Sequence, residues 1–174
     1  GYMLFKRFNR SVSLTNPGVA SQFRPSIIFR LADFYLMYAE AANEVNPNDV
    51  RVLKYLNLVR ERAGLPGVET LNPAIRGNQE LQRAAIQRER QVELATEGQR
   101  YFDVRRWMIA DKNGEGRQNG YAHGMNVRGE PNDIDDFNRV VEASQIVFNR
   151  KMYLYPMPDS EMRKTKNLVQ NPGW

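Results

Sequence analysis

The sequence contains no cysteine and one histidine, His123, in 174 residues. The first absence excludes a disulfide framework, a thiol nucleophile and any cysteine-based zinc site. It says nothing about compartment. With one imidazole and no thiol, a base-activated nucleophile has almost no parts to be built from. No run of 18 apolar residues occurs and no signal-peptide pattern opens the chain, so no membrane-spanning helix is expected. Also missing are a Gly-x-Ser-x-Gly elbow, a phosphate-cradling glycine loop, a His-Glu-x-x-His pair and a dinucleotide fingerprint. The chain starts on Gly1-Tyr2-Met3-Leu4 without an initiator methionine, which leads us to expect a fragment of a longer protein.

Acidic residues are absent from the first thirty positions, which carry Lys6, Arg7, Arg10, Arg24 and Arg30. Beyond them the remaining basic residues balance the 20 acids, so the whole net charge of +5 lies at this end. Tyr2, Phe5, Phe8 and Phe23 interleave with the bases, but five charges without a nucleic-acid fold signature read as a solvated patch. No nucleic-acid partner is expected.

At 41% hydrophobic the chain is an ordinary globular one, long enough for one domain with a real core. Residues 2–8 and 26–29 read as short extended runs. Leu31, Phe34, Tyr35, Tyr38, Ala39 and Ala42 recur at helical spacing over 30–45; with Leu36, Met37 and Ala41 they predict a helix buried on most sides, its aromatic stripe in the core. Asn46-Pro47-Asn48 stops it, and Asn48 or Asp49 caps a second helix carrying Val52, Leu56, Val59 and Ala63. Gly64 is a natural residue to end that helix, and Pro66 forbids its continuation. Two helices around so short a turn make a hairpin.

A proline- and glycine-containing connection follows, then two further helices from about 79 to 110 that fold at Gly98. The first has a stripe of small apolar groups at Leu81, Ala84, Ala85, Val92 and Ala95. Its other face carries Ile86, Glu89, Arg90, Glu93 and Glu97, with three carboxylates spaced four apart. Like charges at that spacing destabilise a helix unless something neutralises them. Arg90, and Arg100, Arg105 and Arg106 past the break, suggest a structural ion-pair seam. A glycosidase reading would need the same carboxylates in an open cleft. Trp107 is expected to pack with Phe102, Val104 and Met108.

Residues 111–136 hold five glycines and Pro131, and no stable element is predicted there. This stretch carries His123 beside Tyr121, Asn126 and Arg128, and loops of that length are often functional. Glu130, Asp133, Asp135 and Asp136 at its end do not match a calcium-loop spacing, so no metal is expected. Val147-Phe148 and 152–155 read as extended runs, and a short helix over 159–163 is capped by Asp159 or Ser160.

Four stretches in this order resemble the C-terminal region of the SusD/RagB family of outer-membrane nutrient-binding lipoproteins. They are Arg30-Leu31-Ala32-Asp33-Phe34-Tyr35-Leu36-Met37-Tyr38-Ala39-Glu40-Ala41, then Leu56-Asn57-Leu58-Val59-Arg60-Glu61-Arg62-Ala63-Gly64, the 89–107 seam, and Tyr153-Leu154-Tyr155-Pro156-Met157-Pro158 with the ending Gln170-Asn171-Pro172-Gly173-Trp174. The resemblance covers nearly all of residues 1–174 and implies a mainly α fold of tetratricopeptide-like helical hairpins with loops and short strands. It implies a non-enzymatic role without a cofactor: capture of glycans, or of peptides, as a lipid-anchored lid over a TonB-dependent transporter of the SusC type at the cell surface. The lipid-bearing cysteine and the N-terminal half of that family are not in this sequence. The matched motifs are scaffold motifs that bring no binding residue across. For a sugar ligand, an exposed aromatic stacks on the ring while amide and charged groups bond hydroxyls, so Tyr121, His123, Asn126 and Arg128 are the ligand-binding candidates. The alternative is a helical-repeat module that binds protein or peptide in a groove without sugar recognition.

Overall fold

A computed structural model describes Lys6 and residues 26–112 and 119–174. The extended run expected over 2–8 lies, apart from Lys6, outside the described residues, as do Arg7, Arg10 and Arg24. Among the described residues the fold is mainly helical with one two-stranded sheet. No helix among them is long and apolar enough to cross a membrane. The chain divides into two compact units, residues 7–100 and residues 1–6 with 101–174.

In the first unit α1 (Leu31–Val45) and α2 (Val50–Arg62) form the expected hairpin. The Asp49 carboxylate accepts from the backbone N–H of Arg51 and caps α2. At the other end Gly64 takes φ +76°; its N–H bonds to Glu61 O while that of Leu65 bonds to Arg60 O. This closing pair requires a residue tolerant of left-handed backbone. The connection is not bare: it contains α3 (Val68–Leu71) and a 3-10 turn at Pro73–Ile75 before α4 (Gln79–Glu93), which Asn78 caps. Asn57 fastens α3 to α2 by accepting from Val68 N and donating to Glu69. The core comprises Leu36, Ala39, Val52, Leu56, Val59, Val68, Ile75, Ile86 and Leu94.

The aromatic side of α1 departs from expectation, while Leu36 and Ala39 are in the core with Tyr35 and Ala42 packed against it. On α1 the buried stripe is Asp33, Leu36, Ala39 and Asn43, whereas Phe34 is 53% and Tyr38 40% exposed. Tyr38 meets Tyr55, which packs against the core, edge to face at 4.8 Å, and Phe29 lies 6.1 Å from Phe34. On α4 Leu81, Ala84 and Val92 lie exposed and the buried set is Gln82, Ile86, Glu89 and Arg90. Pairing accounts for the buried charges, because a polar group can be buried when it is satisfied, whereas Asn43 Oδ1 and Gln82 Oε1 accept from no described group. Asp33 accepts from Arg90 at 3.0 Å, and the Asn43 amide donates to Gln79 O at 3.0 Å. Ser26–Phe29 is irregular and exposed rather than a strand.

The second unit contains the end of α5 (Gln99–Arg106), strand β1 (Gly120–Met125), α6 (Ile134–Asn138) and strand β2 (Val140–Ile146). A 3-10 turn at Arg150–Tyr153 and α7 (Asp159–Met162) follow. Its core is Val104, Ile109, Ala110 and Phe148, with Trp107, Met152 and Tyr153 packed against it. Phe102 and Met108, expected around Trp107, are exposed. The glycine-bearing stretch 111–136 is therefore not elementless: it supplies β1 and the start of α6. The expected runs at 147–148 and 152–155 are not strands, and 150–153 is a 3-10 turn. The strand lies earlier, at Val140–Ile146. Pro158 occupies the N-cap position of the final helix and makes no side-chain capping bond, and Asp159 and Ser160 lie inside the helix.

The chain end is stitched to the Tyr155-Pro156-Met157 segment. Gln170 exchanges two hydrogen bonds with the backbone of Met157, at 2.8 and 3.0 Å. The Trp174 indole N–H donates to the carbonyls of Lys151 and Leu154, each at 3.0 Å.

Candidate functional site

Strand β1 pairs antiparallel with β2, Tyr121 opposite Gln145 and His123 opposite Glu142. Tyr121 and His123 are two apart and so share one face of the strand. Directly opposed residues also share a face. The register shift between Ala122 and His123 leaves Ala143 as the extra residue of β2, which keeps both cross-strand pairs on the same side. The hairpin thereby presents four exposed side chains together: Tyr121, His123, Glu142 and Gln145. Tyr121 is 49% exposed, one ring flanked by an imidazole, a carboxylate and an amide. Such a surface offers a stacking plane with donors and acceptors around it.

The other two expected residues serve differently. Asn126 donates from its amide to Asp136 Oδ1 at 3.0 Å, inside a knot that also takes Glu130 N–H (2.8 Å) and Arg139 (3.0 Å) onto the same carboxylate. Those three donors, led by the Glu130 N–H, hold the Asp136 carboxyl below its ordinary value. A side chain at Gly129 would meet the Asp136 carboxylate and the Asn126 amide and would displace them. Asp133 caps α6 by accepting from the N–H groups of Asp135 and Asp136. Asn126 lines a shallow depression of about 360 Å³ with Val127, Pro131, Ile134 and Phe137. Arg128 is exposed on the loop between β1 and α6. The structure thus brings Tyr121 and His123 together and does not bring the Asn126 amide to their side.

Glu142 and Gln145 were missed in the sequence. Their signal was the mixed run Val140-Val141-Glu142-Ala143-Ser144-Gln145-Ile146, whose strict alternation is broken by the extra residue at Ala143. Among the described residues no group of three His, Asp or Glu side chains is placed to hold a metal ion.

The carboxylates of Glu89 and Glu93 on α4, with Glu97 in the turn after it, form a set of ion pairs reaching far along the chain. Arg60 donates to Glu89 at 2.8 Å and Arg62 to Glu93 at 2.7 Å. Arg30, the residue that precedes α1, donates to Glu93 and Glu97, and its Nη2 also reaches the Glu93 carbonyl at 2.6 Å. The seam was expected within 86–107; it extends beyond that range, to Arg60 and Arg62 of α2 and to Arg30 at the entry to α1. Of the arginines past Gly98, Arg105 stacks on the rings of Tyr101 and Phe148, and Arg106 pairs with Asp103.

Comparison with known proteins agrees with this architecture. SusD-like protein P2 of Formosa agariphila is 31% identical over 151 residues, covering 85% of this chain and 26% of that protein. SusD-like protein P25 of the same organism is 45% identical over 83 residues, 48% of this chain and 15% of that protein. A solved SusD-like protein from Bacteroides fragilis NCTC 9343 superposes with a TM-score of 0.68 at 32% identity, covering 86% of this chain and 26% of that chain. The sequence therefore spans about a quarter, or less, of the length of these relatives. Proteins of this kind are generally non-catalytic cell-surface components of nutrient uptake that work with SusC-like transporters. The SusD family profile matches residues 1–174 throughout: the chain belongs to the SusD family.

Proposed function

We propose that this chain is the C-terminal region of a cell-surface subunit that binds glycans and delivers them to a TonB-dependent transporter of the SusC type. In this reading the full-length protein is held at the outer membrane by an N-terminal lipid anchor, and residues 1–174 act as one region of it. The observation that carries the reading is the hairpin face on which Tyr121 stands exposed beside His123, Glu142 and Gln145. A tyrosine ring offers apolar area to the C–H face of a sugar, while the neighbouring groups bond hydroxyls. The role is binding without catalysis: Glu89, Glu93 and Glu97, the carboxylate array that suggested hydrolysis, are engaged in ion pairs with Arg60, Arg62 and Arg30 instead of facing an open cleft. Acid–base catalysis needs two carboxyls with separated pKa values facing a substrate.

The test is a glycan- and peptide-array screen of this chain, followed by calorimetry on any hit. Tyr121→Ala is expected to weaken a bound glycan by about 1–2 kcal/mol, roughly 5- to 30-fold in Kd, from lost aromatic contact area. A glycan bound equally well by the variant would sink the hairpin assignment. Peptide binding without sugar binding would favour the helical-repeat module instead, for which the exposed rings of Phe34 and Tyr38 on α1 are the supporting observation.

A further inference from the structure

One side of α1 is left open. Leu31, Phe34, Tyr38, Ala41 and Val45 follow one another at alternating steps of three and four, the spacing of a seam between two helices. Leu31 is 62%, Phe34 53%, Tyr38 40% and Val45 88% exposed, and Ala41 is exposed with them. Met37, exposed beside Tyr38, widens the stripe. At the helical repeat this stripe lies on the far side of α1 from Leu36 and Ala39, which are in the core. Helices α2 and α4 pack along the other sides.

A surface helix ordinarily carries its polar residues opposite the core. Helix α1 does the reverse: Asp33 and Asn43 are buried, and the only polar group on the outer stripe is the Tyr38 hydroxyl. A stripe this continuous is rarely left to water, and the last unit of a helical stack needs a polar outer face. The pattern of α1 is that of an interior member of a stack. Polypeptide to continue it exists in the relatives: this chain covers 26% of SusD-like protein P2 and 26% of the Bacteroides fragilis protein, so about three quarters of a chain of that length lies outside residues 1–174. A segment tethered to the same molecule acts at an effective concentration on the order of millimolar, which a second copy or a separate partner does not match.

We propose that the outer face of α1 is the docking surface for an amphipathic helix from the part of the full-length polypeptide outside residues 1–174. That helix lies lengthwise along Leu31, Phe34, Tyr38, Ala41 and Val45, about 8–10 Å from α1 axis to axis. It sets a large side chain opposite Ala41 and small ones opposite Phe34 and Tyr38, so that the two stripes interdigitate. The inference shares with the proposed function only the premise that a longer polypeptide carries this chain, and the sugar-binding hairpin can fail without affecting it.

The test uses the full-length protein. With p-benzoylphenylalanine in place of Phe34, irradiation and peptide mapping are expected to show a crosslink within one polypeptide, to a helical segment outside residues 1–174. A crosslink to a second copy, to another protein or to a position within residues 1–174 would overturn the proposal. Thiol labelling supplies a second reading that does not alter the aromatic rings. Val45 is more open in this structure than Val127, at 88% against 67%, so an uncovered α1 would let N-ethylmaleimide label Val45→Cys at least as fast as Val127→Cys. Under a docked helix Val45→Cys is expected to react about tenfold more slowly, because labelling then waits for local opening. Equal rates at the two positions would overturn the proposal whatever the crosslink shows.

Discussion

The buried pair Arg90–Asp33 is the sharpest place to test the fold's logic. Their side chains are 2% and 5% exposed, and Nη1 of Arg90 donates to Asp33 Oδ1 at 3.0 Å across the α1–α4 contact. Replacing Asp33 by Ala leaves a guanidinium in the core without that carboxylate. Breaking a buried pair from one side costs about 3–5 kcal/mol, because the remaining charge keeps its desolvation penalty. At about 2–4 °C per kcal/mol for a chain of this size, the melting temperature should fall by roughly 6–20 °C. Removing both charges in Asp33→Ala/Arg90→Met takes away the penalty with the attraction, so the double variant should lose clearly less than the two single variants together. Urea unfolding followed by far-UV circular dichroism measures all four proteins and gives the coupling energy of the cycle. A loss below about 1 kcal/mol in Asp33→Ala would put the pair with ordinary surface bridges and refute the reasoning. So would a double variant whose loss equals the sum of the two singles, since the sites would then be independent.

Two further outcomes follow from local charges. Asp49 is pulled from 3.8 to about 2 by the Arg51 side chain and backbone N–H. Its folded value is depressed, so its contribution to stability is complete above pH 3.8 and fades as pH falls toward 2. Asp49→Asn keeps an acceptor at the cap and loses the charge; its melting temperature should trail the wild type above pH 3.8 and meet it near pH 2, and a constant gap would contradict the assignment. Asp136→Ala removes the carboxylate that holds the loop after β1. Hydrogen exchange at the Glu130 amide, whose N–H now reaches Asp136 at 2.8 Å, should then speed up by about tenfold, on the scale of one charge-assisted bond. Unchanged exchange would mean that the loop is held by something else.

Local chemistry was legible in the residues themselves. Asn46-Pro47, Asp49 and Gly64 predict the start and stop of α2 within a residue, because capping and left-handed closure act over four or five positions. The carboxylates at Glu89, Glu93 and Glu97 announce a need for cations, because like charges one turn apart repel wherever the helix sits. The family resemblance could be read for the same reason: its motifs are caps, ladders and stitched ends. Of the candidate ligand surface, only Tyr121 and His123 could be picked out, as an aromatic and the lone imidazole in a glycine-bearing stretch.

What the sequence alone could not decide were questions of long-range choice. Helix α1 carries two usable stripes, and periodicity favours the one with Phe34 and Tyr38. The core kept Leu36 and Ala39 of the expected set and took Asp33 and Asn43 with them, where Arg90 and Gln79, 57 and 36 residues away, bond the Asp33 carboxylate and the Asn43 amide N–H. Which arginines answer the ladder is equally non-local: Arg30, Arg60 and Arg62 reach it only once α1, α2 and α4 have packed. Strand β1 is invisible in a run rich in glycine because its stability comes from pairing with β2 across an intervening loop and helix, and one extra residue at Ala143 conceals the alternation of its partner. Periodicity and caps are properties of a few consecutive residues, whereas burial of a polar group and pairing of a strand depend on a partner that only the folded chain supplies.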